Sequence, residues 1–118
     1  MAKVLIVEDE TDLREIWVEE LSQAGNSVWS AADGREAGLM VESHTFDLVV
    51  LDIGLPRRSG LEVLQEIRSR DSRLPVVVVT AMTSPTVARA VVAAGASDIL
   101  FKPITLADLT DIVTRLAR

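Results

Sequence analysis

Cysteine is absent from this chain of 118 residues, so no disulfide bond can hold the fold together. A chain of this length buries roughly two-thirds of its unfolded surface on folding, and it needs neither a disulfide nor a structural metal to keep a core. Hydrophobic residues make up 48% and charged residues 25%, which is the balance of a compact folded domain. We therefore expect a single domain over residues 1–118.

Long apolar runs and excess positive charge are also missing. No segment approaches the about 20 apolar residues of a membrane span, and the N-terminal MAKVLIVEDE turns acidic too early for a signal peptide. Lysine and arginine number 12 against 18 aspartates and glutamates, for a formal net charge of −6. Direct binding to nucleic acid is not expected, because phosphate contacts need clustered basic residues. By elimination we expect a cytoplasmic protein without membrane contact.

Short segments, several of them runs of Val, Ile and Leu, alternate with segments in which apolar residues recur every three or four positions. The short segments are typical of strands covered on both faces of a sheet. They lie at residues 3–7, 27–31, 47–51, 75–79 and 98–101. Strands alternating with helices imply parallel pairing through right-handed crossovers. The sequence therefore predicts an α/β fold, a (βα)5 three-layer sandwich whose parallel sheet has the order 2-1-3-4-5.

Capping residues mark several helix boundaries. Ser84 before a proline is typical of a helix start, and Thr105 with Asp108 approximates a capping box. Gly25 and Gly95 fall where helices should end in a left-handed residue.

Polar residues follow four of the five predicted strands. Glu8 and Asp9 follow strand 1, Asp52 follows strand 3, Thr80 follows strand 4 and Lys102 follows strand 5. Parallel strands all end at the same edge, and ligands of such folds bind where the strand order reverses. In the order 2-1-3-4-5 this point lies between strands 1 and 3, so we expect the three carboxylates to meet there.

Three carboxylates in one place need positive charge. One pair of like unit charges about 4 Å apart costs about 4 kcal/mol at an effective dielectric of 20. Lys102 supplies a single charge, so we expect a divalent cation with oxygen ligands, Mg²⁺ or Mn²⁺. A metal beside phosphate and a carboxylate describes phosphoryl transfer to an aspartate. Asp52 is the best candidate acceptor because it is alone at its strand end, and Glu8 with Asp9 is better placed as a metal-binding pair.

These motifs, in this order and over essentially the whole chain, resemble the receiver domain of bacterial two-component response regulators. The matching residues are Glu8-Asp9, Asp52 followed by Pro56 and Gly60, Thr80-Ala81, and Lys102-Pro103. The resemblance implies a flavodoxin-like fold and a regulatory domain in signal transduction. Such a domain is not an enzyme beyond its own phosphoryl transfer and dephosphorylation.

The resemblance also implies residue roles. Asp52 would accept phosphate from a phosphohistidine on a sensor histidine kinase or a phosphotransfer protein. Mg²⁺ would be held by Glu8, Asp9, Asp52 and the backbone carbonyl of Gly54. Lys102 would act as the phosphate counter-charge, and the hydroxyl of Thr80 would swing toward the phosphoryl group. The Lys102-Pro103 bond is commonly cis in this family, as proline permits.

Output is expected at the surface built from helix 4, strand 5 and helix 5, which would bind an effector domain, a target protein or a second copy of the chain. The aromatic switch residue of the family usually lies three positions before the lysine, where this chain has Ile99. Phe101 is expected to face the other side of the sheet. The run GLPRRSGLEVL is similar to receivers of winged-helix transcription factors and suggests an effector outside this chain. A stand-alone receiver that shuttles phosphate or binds a target protein is equally open.

Two other functions fit the fold less well. A flavodoxin-type electron carrier needs a Ser, Thr and Gly-rich phosphate loop after strand 1, where this chain has the acidic EDETD. A phosphatase that forms an aspartyl-phosphate enzyme carries a DxD motif at the first strand, which VEDET lacks.

Overall fold

The computed structural model describes residues 2–54 and 60–117, and in them five strands alternate with five helices. The strands are β1 (Lys3–Val7), β2 (Ser27–Ala31), β3 (Leu48–Asp52), β4 (Val76–Thr80) and β5 (Asp98–Phe101). The helices are α1 (Thr11–Gln23), α2 (Gly34–Ser43), α3 (Gly60–Arg70), α4 (Pro85–Ala93) and α5 (Leu106–Leu116). All strands pair in parallel in the order β2-β1-β3-β4-β5, which confirms the predicted fold. No helix within these residues combines the length and the hydropathy of a membrane-spanning segment.

The apolar core has two halves, one on each face of the sheet. Alternate strand residues such as Leu5 and Val49 pack with α2, α3 and α4, whereas their neighbours Val4 and Val50 pack with α1 and α5. Helices cover both faces of the sheet, and every residue of β3 and β4 is buried. This explains why the strands have nearly continuous apolar sequences rather than the alternation of half-exposed strands.

β3 and β4 begin and end one residue later than the sequence predicts. Asp52 pairs with Val79 across the sheet, and Thr80 pairs with Phe101, so both polar residues are the last members of their strands. Pro75 lacks the backbone N–H of a central strand residue and lies just before β4, although its carbonyl accepts from Val49 N at 3.0 Å. The two site residues are therefore held by the sheet rather than by loops.

The predicted helix boundaries are confirmed. Ser84 caps α4 by accepting from Thr86 N, and Thr105 and Asp108 form a complete capping box at α5. Gly25 and Gly95 end α1 and α4 with φ values of 96° and 100°, in the left-handed region that favours glycine.

Candidate functional site

The buried polar and charged residues all lie at the carboxyl edge of the sheet. Within residues 2–54 and 60–117 these are Glu8, Asp52 and Thr80, and each is at most 6% exposed. Burying a charged group is costly unless it is paired. Two carboxylates and a hydroxyl buried at one sheet edge therefore indicate a binding site.

Three carboxylates converge at this edge. Glu8, Asp9 and Asp52 each offer an oxygen, and these oxygens lie within 4.8 Å of one another. Glu8 and Asp9 follow β1 directly and Asp52 ends β3, and these strands are neighbours. A set of carboxylate oxygens that is partly open to solvent suits a hard cation such as Mg²⁺, which binds through one or two carboxylates and retains water. The donor set thus fits the metal expected from the sequence.

Lys102 bridges two of the acids. Its Nζ lies 3.0 Å from Glu8 Oε1 and 3.2 Å from Asp52 Oδ2. Burial acts to lower the pKa of Lys102, but the hydrogen bonds and negative charges of Glu8 and Asp52 outweigh it, and the pKa is raised. Lys102 therefore remains protonated and positively charged at neutral pH.

Glu8 has the most perturbed carboxyl group of the site. Burial raises its pKa from 4.5 to about 7, although hydrogen bonds from the Glu10 backbone and from Lys102 oppose the rise. The negative charge of Asp52 raises it further. The ammonium of Lys102 alone thus does not keep Glu8 fully ionised at neutral pH. A divalent cation bound nearby would favour the ionised carboxylate.

Both carboxylate oxygens of Asp52 are oriented by donors. Oδ1 accepts from Gly54 N at 3.0 Å, and Oδ2 accepts from Lys102 Nζ at 3.2 Å. In front of this carboxylate lies an open cleft of about 270 Å³, lined by Asp9, Asp52, Gly54, Thr80, Ala81, Met82 and Lys102. Because a water molecule takes about 30 Å³ of liquid volume, the cleft has room for a phosphoryl group and several waters.

Thr80 lies in the same cleft. Its Oγ1 accepts from Met82 N at 3.0 Å, which leaves the hydroxyl proton to be donated elsewhere. Its carbonyl accepts from Lys102 N at 2.8 Å, so the ends of β4 and β5 are joined next to the acids. The Lys102-Pro103 peptide bond is cis, as the resemblance implies.

The structure brings Glu8, Asp9, Asp52, Thr80 and Lys102 together. Gly54 lines the cleft and donates its N–H to Asp52, whereas the role of its carbonyl stays a prediction. Pro56 and most of the GLPRR part of the run lie outside the described residues.

Ile99 and Phe101 lie on the same face of β5, so the expectation that Phe101 faces the other side is wrong. Ile99 packs against the α2–α3–α4 half of the core and Leu100 against the α1–α5 half. Phe101, two residues after Ile99, returns to the Ile99 side by strand alternation and is 46% exposed. Residues one and three positions before Lys102 share a face of the strand, because side chains alternate with a period of two.

Gly60 has a role that the sequence motif alone does not explain. A Cβ built there would lie 2.3 Å from Ile53 Cα and 2.8 Å from Asp52 O, so α3 begins in direct contact with the backbone that follows Asp52. Gly60 N also donates to Ile53 O at 3.0 Å. A larger residue would displace the backbone next to the candidate acceptor. The sequence signal was a glycine at the start of a helix, where it lowers helix propensity.

Comparison with known proteins agrees with this geometry. The family model of the response regulator receiver domain matches residues 4–114. The chain belongs to this family. As a receiver domain it is a regulatory domain of two-component signal transduction, and this assignment replaces the electron-carrier and phosphatase alternatives.

Relatives of the receiver domain include longer response regulators. Response regulator MprA of Mycolicibacterium vanbaalenii is 43% identical over 107 residues, which cover 91% of this chain and 46% of the relative. MprA of Mycobacterium avium is 42% identical over the same length and is covered to 47%. The chain thus spans about half the length of these relatives.

Solved structures superpose closely on the receiver domain. A CheY-like receiver domain protein from Methanospirillum hungatei has a TM-score of 0.94 at 27% identity, with 98% of this chain and 92% of that chain covered. Chemotaxis protein CheY4 of Vibrio cholerae has a TM-score of 0.93 at 33% identity, with 98% of both chains covered. NtrX of Brucella abortus, solved in complex with ATP, has a TM-score of 0.89 at 32% identity; 98% of this chain but only 26% of NtrX is covered.

Proposed function

We propose that the receiver domain accepts phosphate on Asp52 from a phosphohistidine of a sensor histidine kinase or a phosphotransfer protein. A carboxylate oxygen of Asp52 forms the bond to phosphorus while the bond from phosphorus to the imidazole nitrogen breaks, and that nitrogen keeps the electron pair. The observation that carries the proposal is the convergence of Glu8, Asp9, Asp52 and Lys102 at one sheet edge, with Asp52 facing an open cleft.

The metal ligands would be the carboxylates of Glu8, Asp9 and Asp52 and the carbonyl of Gly54, holding Mg²⁺ or Mn²⁺. When bound, the ion neutralises charge on the transferring phosphoryl oxygens.

The residues around Asp52 prepare it for transfer. Gly54 N and Lys102 Nζ hold the two oxygens of the carboxylate before a donor arrives, which reduces the entropic cost of reaching the reactive geometry. Lys102 would then pair with a phosphoryl oxygen, and the hydroxyl of Thr80 would donate to another. The domain catalyses only its own phosphoryl transfer and dephosphorylation in this proposal.

The proposal is tested with a small labelled acyl phosphate, which removes the need for the cognate kinase. Incubation of the chain with Mg²⁺ and ³²P-labelled acetyl phosphate should label the protein. Asp52→Asn, which removes the nucleophilic oxygen, and addition of EDTA, which removes the metal, should each abolish labelling. The matched control is Asp12→Asn, an exposed acid close to the site in sequence, which should label like the parent. Undiminished labelling of Asp52→Asn would contradict the proposal.

The output surface would be α4, β5 and α5. Four large apolar side chains near this surface are at least 40% exposed: Met82, Val92, Phe101 and Leu106. An effector domain, a target protein or a second copy of the chain would bind there, since exposed apolar groups gathered on one surface favour protein contacts.

Residues 1–118 would act as one receiver domain within a larger signalling pathway. The MprA relatives, about twice as long, agree with an effector linked to such a receiver. The ATP from which histidine kinases make phosphohistidine is cytoplasmic, so we place the domain in the cytoplasm.

A further inference from the structure

Arg14 contacts the carbonyls of three successive residues in the loop that carries the acid pair. Its backbone N–H donates to Glu10 O at 2.9 Å as the first turn of α1 closes. Its side-chain Nη1 donates to Glu8 O at 2.9 Å and, more weakly, to Asp9 O at 3.5 Å. A guanidinium group can reach two neighbouring carbonyls in this way because its donors lie in a rigid plane.

Other hydrogen bonds hold the same loop together with those of Arg14. Glu8 N donates to Ala31 O at 3.1 Å, which fixes the start of the loop on β2. The carboxylate of Glu8 accepts from Glu10 N at 3.2 Å and from Lys102 at 3.0 Å. Asp9 is exposed, and its carbonyl is one of the two that the Arg14 side chain contacts.

Helix stability does not explain an arginine at this position. Arg14 is the fourth residue of α1, and a cation near the N-terminus opposes the helix dipole at a cost of about 0.3–1 kcal/mol. The N-cap residue Glu10 makes no side-chain capping bond, so the carbonyl contacts of Arg14 act together with the bond from Glu10 N to the Glu8 carboxylate in fixing the entry to the helix. A guanidinium bonded to Glu8 O would also repel a nearby metal ion, so its charge alone would weaken metal binding.

On the basis of the proposed metal site, we propose that Arg14 is a positioning residue that strengthens metal binding. It holds the backbone of Glu8 and Asp9 so that their carboxylates converge with that of Asp52. Loss of Arg14 has two effects of opposite sign. Removing the charge should strengthen cation binding, whereas releasing the loop should weaken it. We expect the second effect to be larger.

The test is a titration with Mn²⁺ in which the electron paramagnetic resonance signal of the free ion reports binding. Arg14→Ala should bind Mn²⁺ about tenfold more weakly than the parent, the order of effect seen when groups that orient metal ligands are removed. Arg14→Lys keeps the charge and one donor group, and its affinity should fall between the two. Arg115→Ala is the matched control, because it removes an arginine on α5 that pairs only with Asp111 in the described structure.

A second readout reports on the loop without any metal. Amide hydrogen exchange of Glu10, whose N–H donates to Glu8, should be about tenfold faster in Arg14→Ala, while amides of β1 stay unchanged. Mn²⁺ binding by Arg14→Ala as tight as the parent's, or tighter, would overturn the role of Arg14 and leave the metal site standing. A parent chain that binds no Mn²⁺ would instead contradict the proposed metal site itself, and the role of Arg14 with it.

Discussion

The acidic side chains at the site outnumber the basic one that pairs with them. Lys102 contacts Glu8 and Asp52, but three carboxylates face this one ammonium. Burial is the main cause of the raised pKa of Glu8, and the negative charge of Asp52 adds to it, because the hydrogen bonds from Glu10 N and Lys102 do not offset them. A bound divalent cation would reverse the balance by favouring the ionised carboxylate, so metal binding should release a proton near neutral pH.

The first prediction concerns the pH dependence of stability without metal. Between pH 4.5 and about 7 the folded chain holds a proton on Glu8 that the unfolded chain has lost. The free energy of unfolding should therefore fall as pH rises through this window, by up to about 3 kcal/mol. Glu8→Gln should remove this decline and be more stable than the parent at pH 8 in EDTA, as measured by urea denaturation. Exposed Glu15→Gln is the control and should keep the parent's slope.

The second prediction concerns Arg68, which joins three segments at the opposite edge of the sheet. It donates to Gly95 O at 2.7 Å, to the carbonyls of Leu74 and Asp71, and at 3.5 Å to Ser97 Oγ. Arg68→Ala would leave partly buried carbonyls without these charged donors, so the free energy of unfolding should fall by about 3 kcal/mol.

Arg70→Ala on the same helix is the control for Arg68. Arg70 makes partly exposed ion pairs with Glu42 at 3.8 Å and Glu66 at 3.6 Å, and such pairs contribute under about 1 kcal/mol. Equal losses in the two variants would show that the carbonyl contacts of Arg68 contribute little.

Among the secondary-structure elements, helices α1 and α4 both end in a glycine with left-handed backbone conformation, but the surroundings of the two glycines differ. Gly25 and Gly95 have nearly equal φ values, so alanine is strained at both positions. A Cβ at Gly25 would meet no described atom within 4 Å, whereas one at Gly95 would lie 2.8 Å from Arg68 Nε. Arg68 cannot move away without losing its hydrogen bonds.

The third prediction follows from this pair. Gly25→Ala should cost about 1–2 kcal/mol of stability, which is the left-handed strain alone. Gly95→Ala should cost clearly more, and its excess should disappear in an Arg68→Ala background, as a double-mutant cycle in urea would measure. An excess that persists without Arg68 would contradict the close contact as its cause.

Sequence reasoning locates the elements well because hydrophobic periodicity reports burial directly. The five strands and the strand order were predicted, and the displacement of β3 and β4 by one residue reflects a polar residue that still pairs within the sheet. The contacts of Arg68 could not be predicted. Leu74 O lies six residues away in the next loop, whereas Gly95 O lies 27 residues away, and no local sequence pattern places the loop after α4 beside Arg68.

At the scale of the whole molecule, strand topology explains why the site could be predicted. Parallel strands end at one edge, so Glu8, Asp52, Thr80 and Lys102 had to meet once the order was known. The contacts of Arg14 with the carbonyls of Glu8 and Asp9 could not be predicted, because a basic residue in the first helical turn is locally unfavourable. The side of Phe101 follows from strand alternation alone, which puts it on the same face of β5 as Ile99.

The fourth prediction concerns the response of the domain to phosphorylation. A group of charge near −2 on Asp52 should draw Thr80 inward and change residues 81–89. Hydrogen exchange should therefore change in that segment and in β5, and should stay constant in α1 and α2. Thr80→Ala should accept label on Asp52 without the change in residues 81–89. An identical exchange response in Thr80→Ala and the parent would show that Thr80 does not couple the site to the surface.

In the proposed site, Glu8, Asp9 and Asp52 share one metal ion beside the cleft. Crystals of the chain soaked in Mn²⁺ would test it directly through the anomalous difference map. We expect a single strong peak among these three carboxylates, next to Gly54 and within reach of the cleft that Thr80 and Lys102 line. A map with no peak among the three carboxylates at saturating Mn²⁺, or with its main peak elsewhere, would show that they do not form a shared metal site.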